Sequence, residues 1–479
     1  MNRSKIFNTI GRIILLEGIL FLLPLIVSLI YGESVSFRAF LVSIALCAVI
    51  GSVMVLIFRP KNHITYAREG FATVTLAWLA MSAIGALPFY LSREIPSYVD
   101  AFFETVSGFT TTGASILKNV EALSHGMLFW RSFTHWVGGM GVLVFIMAII
   151  PNVSDRSINL MKAEMPGPII GKLVPKVKDT AKILYLMYIV ITAVEVIFLM
   201  FGGMSVFESL VHAFGTAGTG GFGIKLDSIA SYSPYIQWVL AIFMLLFGVN
   251  FNLYYLLLIK RFRSVLRSTE LWVYIGIVVA SVAMITLNIM PIYQNFTEAI
   301  RYSSFQVSSV ITTTGYSTVD FNLWPDFSKA ILFILMFLGG CAGSTAGGLK
   351  LSRAIILFKM VRKELRRMLH PRSVQSIKFE DRLVDEQTQK SISVYFALYI
   401  ACIVFVYVVL AFESFDFETN FTAAVSCFNN VGPAYGKAMA GYFFYSPFSK
   451  IVLSMAMLFG RLEMFPIILA LSPSTWTKK

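Results

Sequence analysis

The chain has 479 residues, of which 57% are hydrophobic and only 14% are charged, whereas an average soluble domain is about 25% charged. This composition excludes a soluble enzyme, a disordered chain and a secreted disulfide scaffold, and indicates a polytopic membrane protein. We therefore expect the net charge of +13 to reflect Lys and Arg on the cytoplasmic side of a membrane, not nucleic-acid binding.

Ten apolar stretches are long enough, at roughly 20 residues each, to cross a bilayer as helices. The first has a basic start but no small-residue cleavage pattern after it, which predicts a retained anchor. The four cysteines lie in or next to these stretches and are interpreted as small buried residues. In chain order the predicted spans are 13–31, 39–58, 71–91, 127–150, 183–202, 234–259, 271–290, 328–349, 391–412 and 448–471.

The distribution of charge orients these spans. With the N-terminus inside, 29 of the 39 Lys and Arg residues fall in inner segments, eight in outer segments, and two, Arg131 and Arg461, in apolar stretches. This asymmetry predicts that both termini are cytoplasmic. The outer segments carry acidic residues, which are expected to raise the local concentration of cations. These are Asp100, Glu104, Glu121, Glu208, Asp227, Glu298, Asp320, Asp326, Asp416 and Glu418.

Four outer segments, after the third, fifth, seventh and ninth spans, share one pattern. Each holds an apolar stretch too short to cross the membrane, which we call a half-helix, and then a glycine turn. The residue six positions before the shared glycine is always small, and the long intervals between the glycines predict a repeated structural unit. Aligned on that glycine, the segments read VDAFFETVSGFTTTG (99–113), FESLVHAFGTAGTGG (207–221), RYSSFQVSSVITTTG (301–315) and ETNFTAAVSCFNNVG (418–432).

The repeated unit predicts a cation pore. Non-helical backbone at membrane depth is tolerated only where it is buried in protein or lines a cavity. A ring of carbonyl oxygens can replace the hydration shell of a monovalent cation, and the partly negative ends of four half-helices would face the same point. One such turn would be an ordinary glycine turn, but four at equivalent places favour a selectivity filter. The candidate potassium-binding residues are Thr110, Thr111, Thr112 and Gly113 (turn 1), Gly218, Thr219, Gly220 and Gly221 (turn 2), Thr312, Thr313, Thr314 and Gly315 (turn 3), and Asn429, Asn430, Val431 and Gly432 (turn 4).

These repeats resemble the potassium channel unit, and the whole chain resembles the Trk/Ktr/HKT superfamily of potassium uptake proteins. Within it, the two extra N-terminal spans fit the TrkH family better than the shorter Ktr subunits. The turns are not identical, since each contributes one shared glycine and turn 4 replaces the threonines, which leaves the degree of sodium discrimination open. The resemblance rests on KAEMPGP (162–168), GGCAGSTAGGLK (339–350), KELRRMLHP (363–371), FNNVGPAYG (428–436) and MLFGRLEMFP (457–466).

The resemblance implies an all-α fold of ten transmembrane helices, in which four pseudo-fourfold helix–pore-loop–helix repeats follow two N-terminal helices. It implies potassium uptake across a bacterial inner membrane, a homodimer with one pore per subunit, and docking of a TrkA-like cytoplasmic nucleotide-binding ring. Segment 350–390 is the largest candidate surface for that partner, and loop 151–182 is the second. The predicted units are 1–68 (N-terminal helices), 69–155 (repeat 1), 156–262 (repeat 2), 263–370 (repeat 3) and 371–479 (repeat 4).

Five glycines between 339 and 348 interrupt the eighth span. Each costs a helix about 1 kcal/mol relative to alanine, so the run indicates either close helix packing through small residues or an unwound loop. The family resemblance favours a loop that lies below the filter and obstructs the path. The predicted gate therefore consists of Cys341, Ala342, Gly343, Ser344, Thr345, Ala346, Gly347, Gly348 and the intramembrane Arg461.

Arg461 lies within the last span, where a charge is costly and usually faces a cavity. It could be a structural arginine bonded to carbonyls of a neighbouring span. The resemblance instead implies that it lies in the pore near the glycine loop, where its positive charge would limit the flux of cations.

The chain is not expected to bind a nucleotide or to be an enzyme. The match to G-x-G-x-x-G at 218–223 lacks the βαβ context that a dinucleotide site requires, and the sequence 343–350 lacks the Gly-Lys-Ser/Thr end of a P-loop. No nucleophile–base constellation stands out. The alternative function is an ion-coupled secondary transporter of potassium or another cation, for which broken helices at the membrane midplane are also suitable.

Overall fold

The structure is a computed structural model that describes residues 3–60, 67–141, 177–373, 375–380 and 382–476. It is helical apart from one short antiparallel hairpin, in which Lys378–Phe379 pairs with Arg382–Leu383. The motif at 162–168 and most of the predicted partner loop 151–182 lie outside the described residues.

Six helical segments of the described residues are long and apolar enough to cross a membrane. The chain is therefore a helical, multi-pass membrane protein. The six segments are Arg3–Ile30, Ser34–Ile57, Glu69–Leu91, Ala181–Phe201, Thr269–Tyr293 and Glu386–Leu410.

Two further predicted spans, 234–259 and 448–471, are sharply bent. The first divides into Pro234–Phe247 and Phe251–Leu258, which meet at 89°, and the second into Pro447–Arg461 and Phe465–Leu471, which meet at 120°. At the first bend Asn250 caps the second helix, since its side chain accepts a hydrogen bond from the Asn252 N–H. At the second bend Glu463 and Met464 both have positive φ angles, which end the helix.

The remaining two predicted spans, 127–150 and 328–349, contain shorter helices. Predicted span 127–150 begins as the helix His125–Gly139, and residues 142–150 lie outside the described part of the chain. Predicted span 328–349 is helical over Asp326–Leu338 and then becomes a loop. Gly339 ends this helix because its φ of 68° is left-handed.

All four predicted half-helices are present. They are Tyr98–Phe109, Val206–Gly218, Phe296–Ile311 and Phe417–Asn429, numbered 1 to 4 below. Each starts at an N-cap whose side-chain oxygen accepts a backbone hydrogen bond, which favours helix initiation. The four caps are Ser97, Ser205, Asn295 and Asp416.

The remaining helices connect and surround these units. The helix Pro447–Arg461 packs against half-helices 1 and 4, and the helix His125–Gly139 packs against half-helices 1 and 2. Trp130 is fully buried there, with its Nε1 donating to the Gly85 carbonyl at 3.0 Å. The other helices are Leu87–Leu91, Phe262–Leu266, Leu351–Leu369 and Pro473–Trp476, and within the longer segments Arg3–Leu20, Leu22–Ile30, Ala67–Gly85 and Val177–Phe201.

Candidate functional site

The four turns contact one another in a closed ring. At each shared glycine, an added Cβ would overlap a carbonyl oxygen of the next turn, so that turn 1 faces turn 2, turn 2 faces turn 3, turn 3 faces turn 4, and turn 4 faces turn 1. A side chain at any of these positions would push the ring apart. The pairs are Gly113 with Gly220, Gly221 with Thr314, Gly315 with Val431, and Gly432 with Thr112.

The backbone of the four turns follows one conformation. Each shared glycine has a φ between 73° and 96°, which only glycine adopts readily. Two residues earlier the backbone is left-handed again, with φ between 54° and 57°. These earlier residues are Thr111, Thr219, Thr313 and Asn430.

One backbone hydrogen bond recurs in all four turns and explains the small residue six positions before the glycine. The N–H of the residue preceding each glycine donates to the carbonyl of that small residue, over 2.8 to 3.0 Å. The chain must fold back closely over this position, which leaves no room for a large side chain. The four pairs are Thr112 with Ser107, Gly220 with Gly215, Thr314 with Ser309, and Val431 with Ser426.

The polar side chains of turns 1 and 3 pack behind the backbone in the same way. Thr110 Oγ1 lies 2.8 Å from Thr112 Oγ1, and Thr312 Oγ1 lies 2.8 Å from Thr314 Oγ1. All four side chains are fully buried. Each turn is thus braced by its own threonines.

Turn 4 is joined to turn 1 by a side chain. Asn430 Nδ2 donates to Thr112 Oγ1 and to the Met457 carbonyl, both at 2.9 Å. Asn430 has a φ of 57°, a conformation that asparagine tolerates better than most residues. The asparagine that replaces a threonine in turn 4 therefore closes the ring.

A cavity of about 530 Å³ is lined by all four shared glycines. Two of the acidic residues of the outer segments, Asp227 and Asp320, line this cavity, which we call the mouth of the ring. Basic residues line it as well. The mouth therefore carries both signs of charge and is less acidic than the sequence suggests. The basic lining residues are Arg131, Lys225 and Lys437.

Glu104, which was expected in the acidic mouth, is instead buried in an ion pair. Its Oε1 lies 2.6 Å from Arg131 Nε, and the side chains are 0% and 5% exposed. Glu104 also accepts hydrogen bonds from the Ser115 hydroxyl and the Ile116 N–H, and Arg131 donates to the Gly223 carbonyl at 3.0 Å. The pair joins half-helix 1 to the segments that follow turns 1 and 2.

Residues 339–350 form a loop inside the protein, so the unwound alternative describes this segment. Gly339 and Gly348 pack against each other, which brings the two ends of the loop together. At its far side the loop reaches the ring, where the Gly347 N–H donates to Thr313 Oγ1 at 2.6 Å and the Gly348 N–H donates to the Asn429 carbonyl at 3.0 Å. The loop therefore contacts turns 3 and 4 directly.

The first half of the loop is held by the bent span and by an acidic side chain. The Cys341 N–H donates to the Gly248 carbonyl at 3.0 Å, and the Ala342 N–H donates to Glu270 Oε1 at 2.8 Å. Thr345 Oγ1 donates to the Phe247 carbonyl at 3.2 Å. At the end of the loop Lys350 Nζ donates to the Ala346 carbonyl.

Arg461 bridges the loop and a neighbouring helix. Its Nη1 donates to the Thr345 carbonyl at 2.8 Å, and its Nη2 donates to the carbonyls of Gly138 and Gly139 at 2.7 and 2.6 Å. Features of both sequence interpretations are present, because the guanidinium bonds carbonyls of another helix and also contacts the predicted gate.

Two ion pairs involve charges from predicted apolar stretches and were not predicted from the sequence. Arg131 was noted only as a basic residue in an apolar stretch, and Glu104 lies 27 residues away in another element. Glu463, which cannot face Arg461 on a helix, pairs with Arg353 over 2.6 Å. A charge within an apolar stretch indicated that Arg131 and Glu463 need partners. No local sequence spacing identified those partners.

Comparison with known proteins agrees with this architecture. The sequence matches the TrkH family, described as a cation transport protein, over residues 36–478. It is 37% identical over 482 aligned residues to the Trk system potassium uptake protein TrkH of Salmonella typhimurium, covering 98% of this chain and 99% of that protein. It is 30% identical to the Trk system potassium uptake protein TrkG of Escherichia coli, covering 97% of each.

A solved structure resembles the whole chain. The crystal structure of the potassium transporter TrkH from Vibrio parahaemolyticus superposes with a TM-score of 0.90, at 29% identity and with complete coverage of both chains. Family match, identity and fold thus agree over nearly the entire length, and the chain belongs to the TrkH family of cation transport proteins.

Proposed function

We propose that this chain takes up potassium through a channel-like pore whose filter is the ring of four turns. The observation that carries the proposal is the closed contact of the four shared glycines with the carbonyls of the next turn. Four repeats around one axis would place carbonyl oxygens on all sides of a cation, which is how a filter replaces water. The relatives named as potassium uptake proteins support potassium as the ion.

The proposed path runs from the outer cavity to the cytoplasm. Potassium would lose water at residues 110–113, 218–221, 312–315 and 429–432, and then pass the glycine loop and Arg461. An inside-negative membrane potential supplies about 2.3 kcal/mol per charge per 100 mV, so accumulation requires no coupling ion. The ten-helix, pseudo-fourfold arrangement with cytoplasmic termini is part of this proposal.

In this account the loop 341–348 and Arg461 form the gate. The contacts of Gly347 and Gly348 with turns 3 and 4 support an obstruction placed directly against the filter. The three carbonyls that Arg461 bonds support a closed state held by this side chain. Opening would require these hydrogen bonds to break.

A cytoplasmic partner would control this gate. The helix Leu351–Leu369 follows the loop directly, and only its first turns are buried, while Leu365, Met368 and Leu369 are exposed. A TrkA-like ring that pulled on this helix would transmit force to the loop. Nucleotide control would then belong to the partner, and a homodimer with one pore per subunit completes the proposed assembly.

Rubidium uptake into proteoliposomes under an inside-negative potential tests this function. We expect uptake that potassium competes with and that Gly315→Ala abolishes, because the new Cβ overlaps the Val431 carbonyl at a left-handed φ. Gly276→Ala is the matched control, since a Cβ on Gly276 has no neighbour within 4 Å, and it should transport normally. Equal uptake by both variants would contradict the filter.

The alternative is coupled transport. It predicts that rubidium uptake depends on an imposed sodium or proton gradient at constant membrane potential. The passive pore predicts uptake that follows the potential alone.

A further inference from the structure

Turn 2 departs from the other turns in a way that the filter proposal does not explain. Where turns 1 and 3 have paired threonines, turn 2 has Gly218 and Gly220. The φ angle of Gly220 is outside the left-handed region, so its backbone would accept a side chain. A cause other than backbone conformation must therefore exclude a side chain at position 220.

The side chain of His135 occupies that space. A Cβ on Gly220 would overlap the Nδ1, Cε1 and Cγ atoms of the His135 ring, and a Cβ on Gly218 would overlap the His135 carbonyl. His135 is fully buried, and its ring stacks on Phe222 with the centroids 4.1 Å apart and the planes 23° apart. The imidazole is thus packed between turn 2 and the aromatic residue that follows the turn.

Hydrogen bonding does not explain this position of the ring. Among the described residues, neither nitrogen of His135 has a hydrogen-bond partner. A buried polar group without a partner is costly and calls for a specific explanation. The explanation that the geometry offers is shape, because the flat ring fills the volume that threonine side chains fill in turns 1 and 3.

We infer that His135 is the positioning residue of turn 2 and sets how well the pore discriminates potassium from sodium. The inference deepens the proposed function, on which it rests. In turns 1 and 3 the bracing side chains belong to the turn itself, whereas turn 2 is braced from the helix His125–Gly139. Without the ring, Gly218 and Gly220 would be free to move, and the carbonyls around the ion would adapt to a smaller cation.

A reciprocal pair of substitutions tests this inference. His135→Ala should retain rubidium uptake. The factor by which potassium competes better than sodium for that uptake should fall about tenfold, which is the size of effect that one methylene has in a recognition pocket. Gly220→Thr alone should block uptake, because its side chain collides with the ring. The double variant, in which a threonine replaces the ring from within the turn, should recover both uptake and discrimination.

Each outcome decides the inference. It is overturned if folded His135→Ala discriminates as the wild type does, or if the double variant discriminates no better than His135→Ala. If His135→Ala does not fold, by size exclusion and thermal midpoint, a folded and selective double variant supports the inference, and failure of both variants overturns it. A wild-type protein that takes up no rubidium would instead refute the proposed function, so the two failures are distinguishable.

Discussion

The Gly347 N–H donates a 2.6 Å hydrogen bond to the Thr313 hydroxyl, so the glycine loop is attached directly to turn 3. Thr313 is fully buried and has a left-handed backbone. The acceptor for the loop is thus a side chain at turn 3, whereas at turn 4 it is the Asn429 carbonyl. Movement of the loop and the conformation of the filter are expected to be coupled through this bond.

Shortening the loop should raise basal flux. Gly339 and Gly348 already touch, so a short glycine linker in place of residues 341–347 can close the chain without displacing the flanking helices. We expect more rubidium uptake in the absence of any partner, because the contact of Gly347 with turn 3 and the bond of Arg461 to the Thr345 carbonyl are removed. Unchanged uptake by a folded variant would count against the loop as the obstruction.

Arg461→Ala should also increase potassium permeation. A fixed positive charge on the order of 10 Å from a passing cation raises its barrier by roughly 1–2 kcal/mol, which is about tenfold in rate. The variant also loses the bond to the Thr345 carbonyl. Arg461→Lys keeps the charge but not the fork of donors, so it separates the two effects in the same rubidium assay. An unaltered or lower flux in Arg461→Ala would be inconsistent with this role.

Asn430→Gly should destabilise the ring. The substitution permits the left-handed backbone but removes both donors, leaving the Thr112 hydroxyl without its donor from turn 4 and the Met457 carbonyl without its donor from Asn430. The Thr112 hydroxyl keeps its partner Thr110, so each lost hydrogen bond costs about 0.5–1.5 kcal/mol. The thermal midpoint of the purified protein should fall, and it should fall further in Asn430→Ala, which adds backbone strain. A midpoint equal to that of the wild type would argue against the closing role of Asn430.

Arg131→Ala should be strongly destabilising. It leaves the Glu104 carboxylate buried without its cation, a change that costs about 3–5 kcal/mol. Lys329 and Asp326 provide a matched surface pair, in which Asp326 is 97% exposed, and Asp326→Asn should have an effect of about 0–1 kcal/mol. Thermal unfolding of the two variants side by side measures the contrast, and similar midpoints would mean that the buried pair does not hold the outer segments.

Much of this architecture follows from local pattern. The half-helices and turns could be predicted because glycine and small residues recur at fixed offsets, and the break at Gly339 because glycines cluster there. The bend after Gly248 was missed, since the residues around it are apolar enough for a continuous span. A bend of this kind depends on the cap at Asn250 and on the loop that packs beside it, which no local window contains.

The contacts between repeats could not be predicted from the sequence for a similar reason. Nothing in the sequence distinguishes His135 from the other four histidines, and it lies 85 residues from Gly220. The glycines of turn 2 were visible as a departure from the threonine pattern. Only the packing in the structure shows that the His135 ring occupies the place of those threonines.

Permeation through the ring of four turns can be measured by single-channel recording of the purified protein in a planar bilayer, with potassium on one side and sodium on the other. We expect unitary currents whose reversal potential favours potassium. These currents should be lost in Gly315→Ala and kept in Gly276→Ala, and a TrkA-like partner should increase their open probability. Absence of unitary currents in the folded protein, or currents that Gly315→Ala leaves unchanged, would contradict permeation through the ring of four turns.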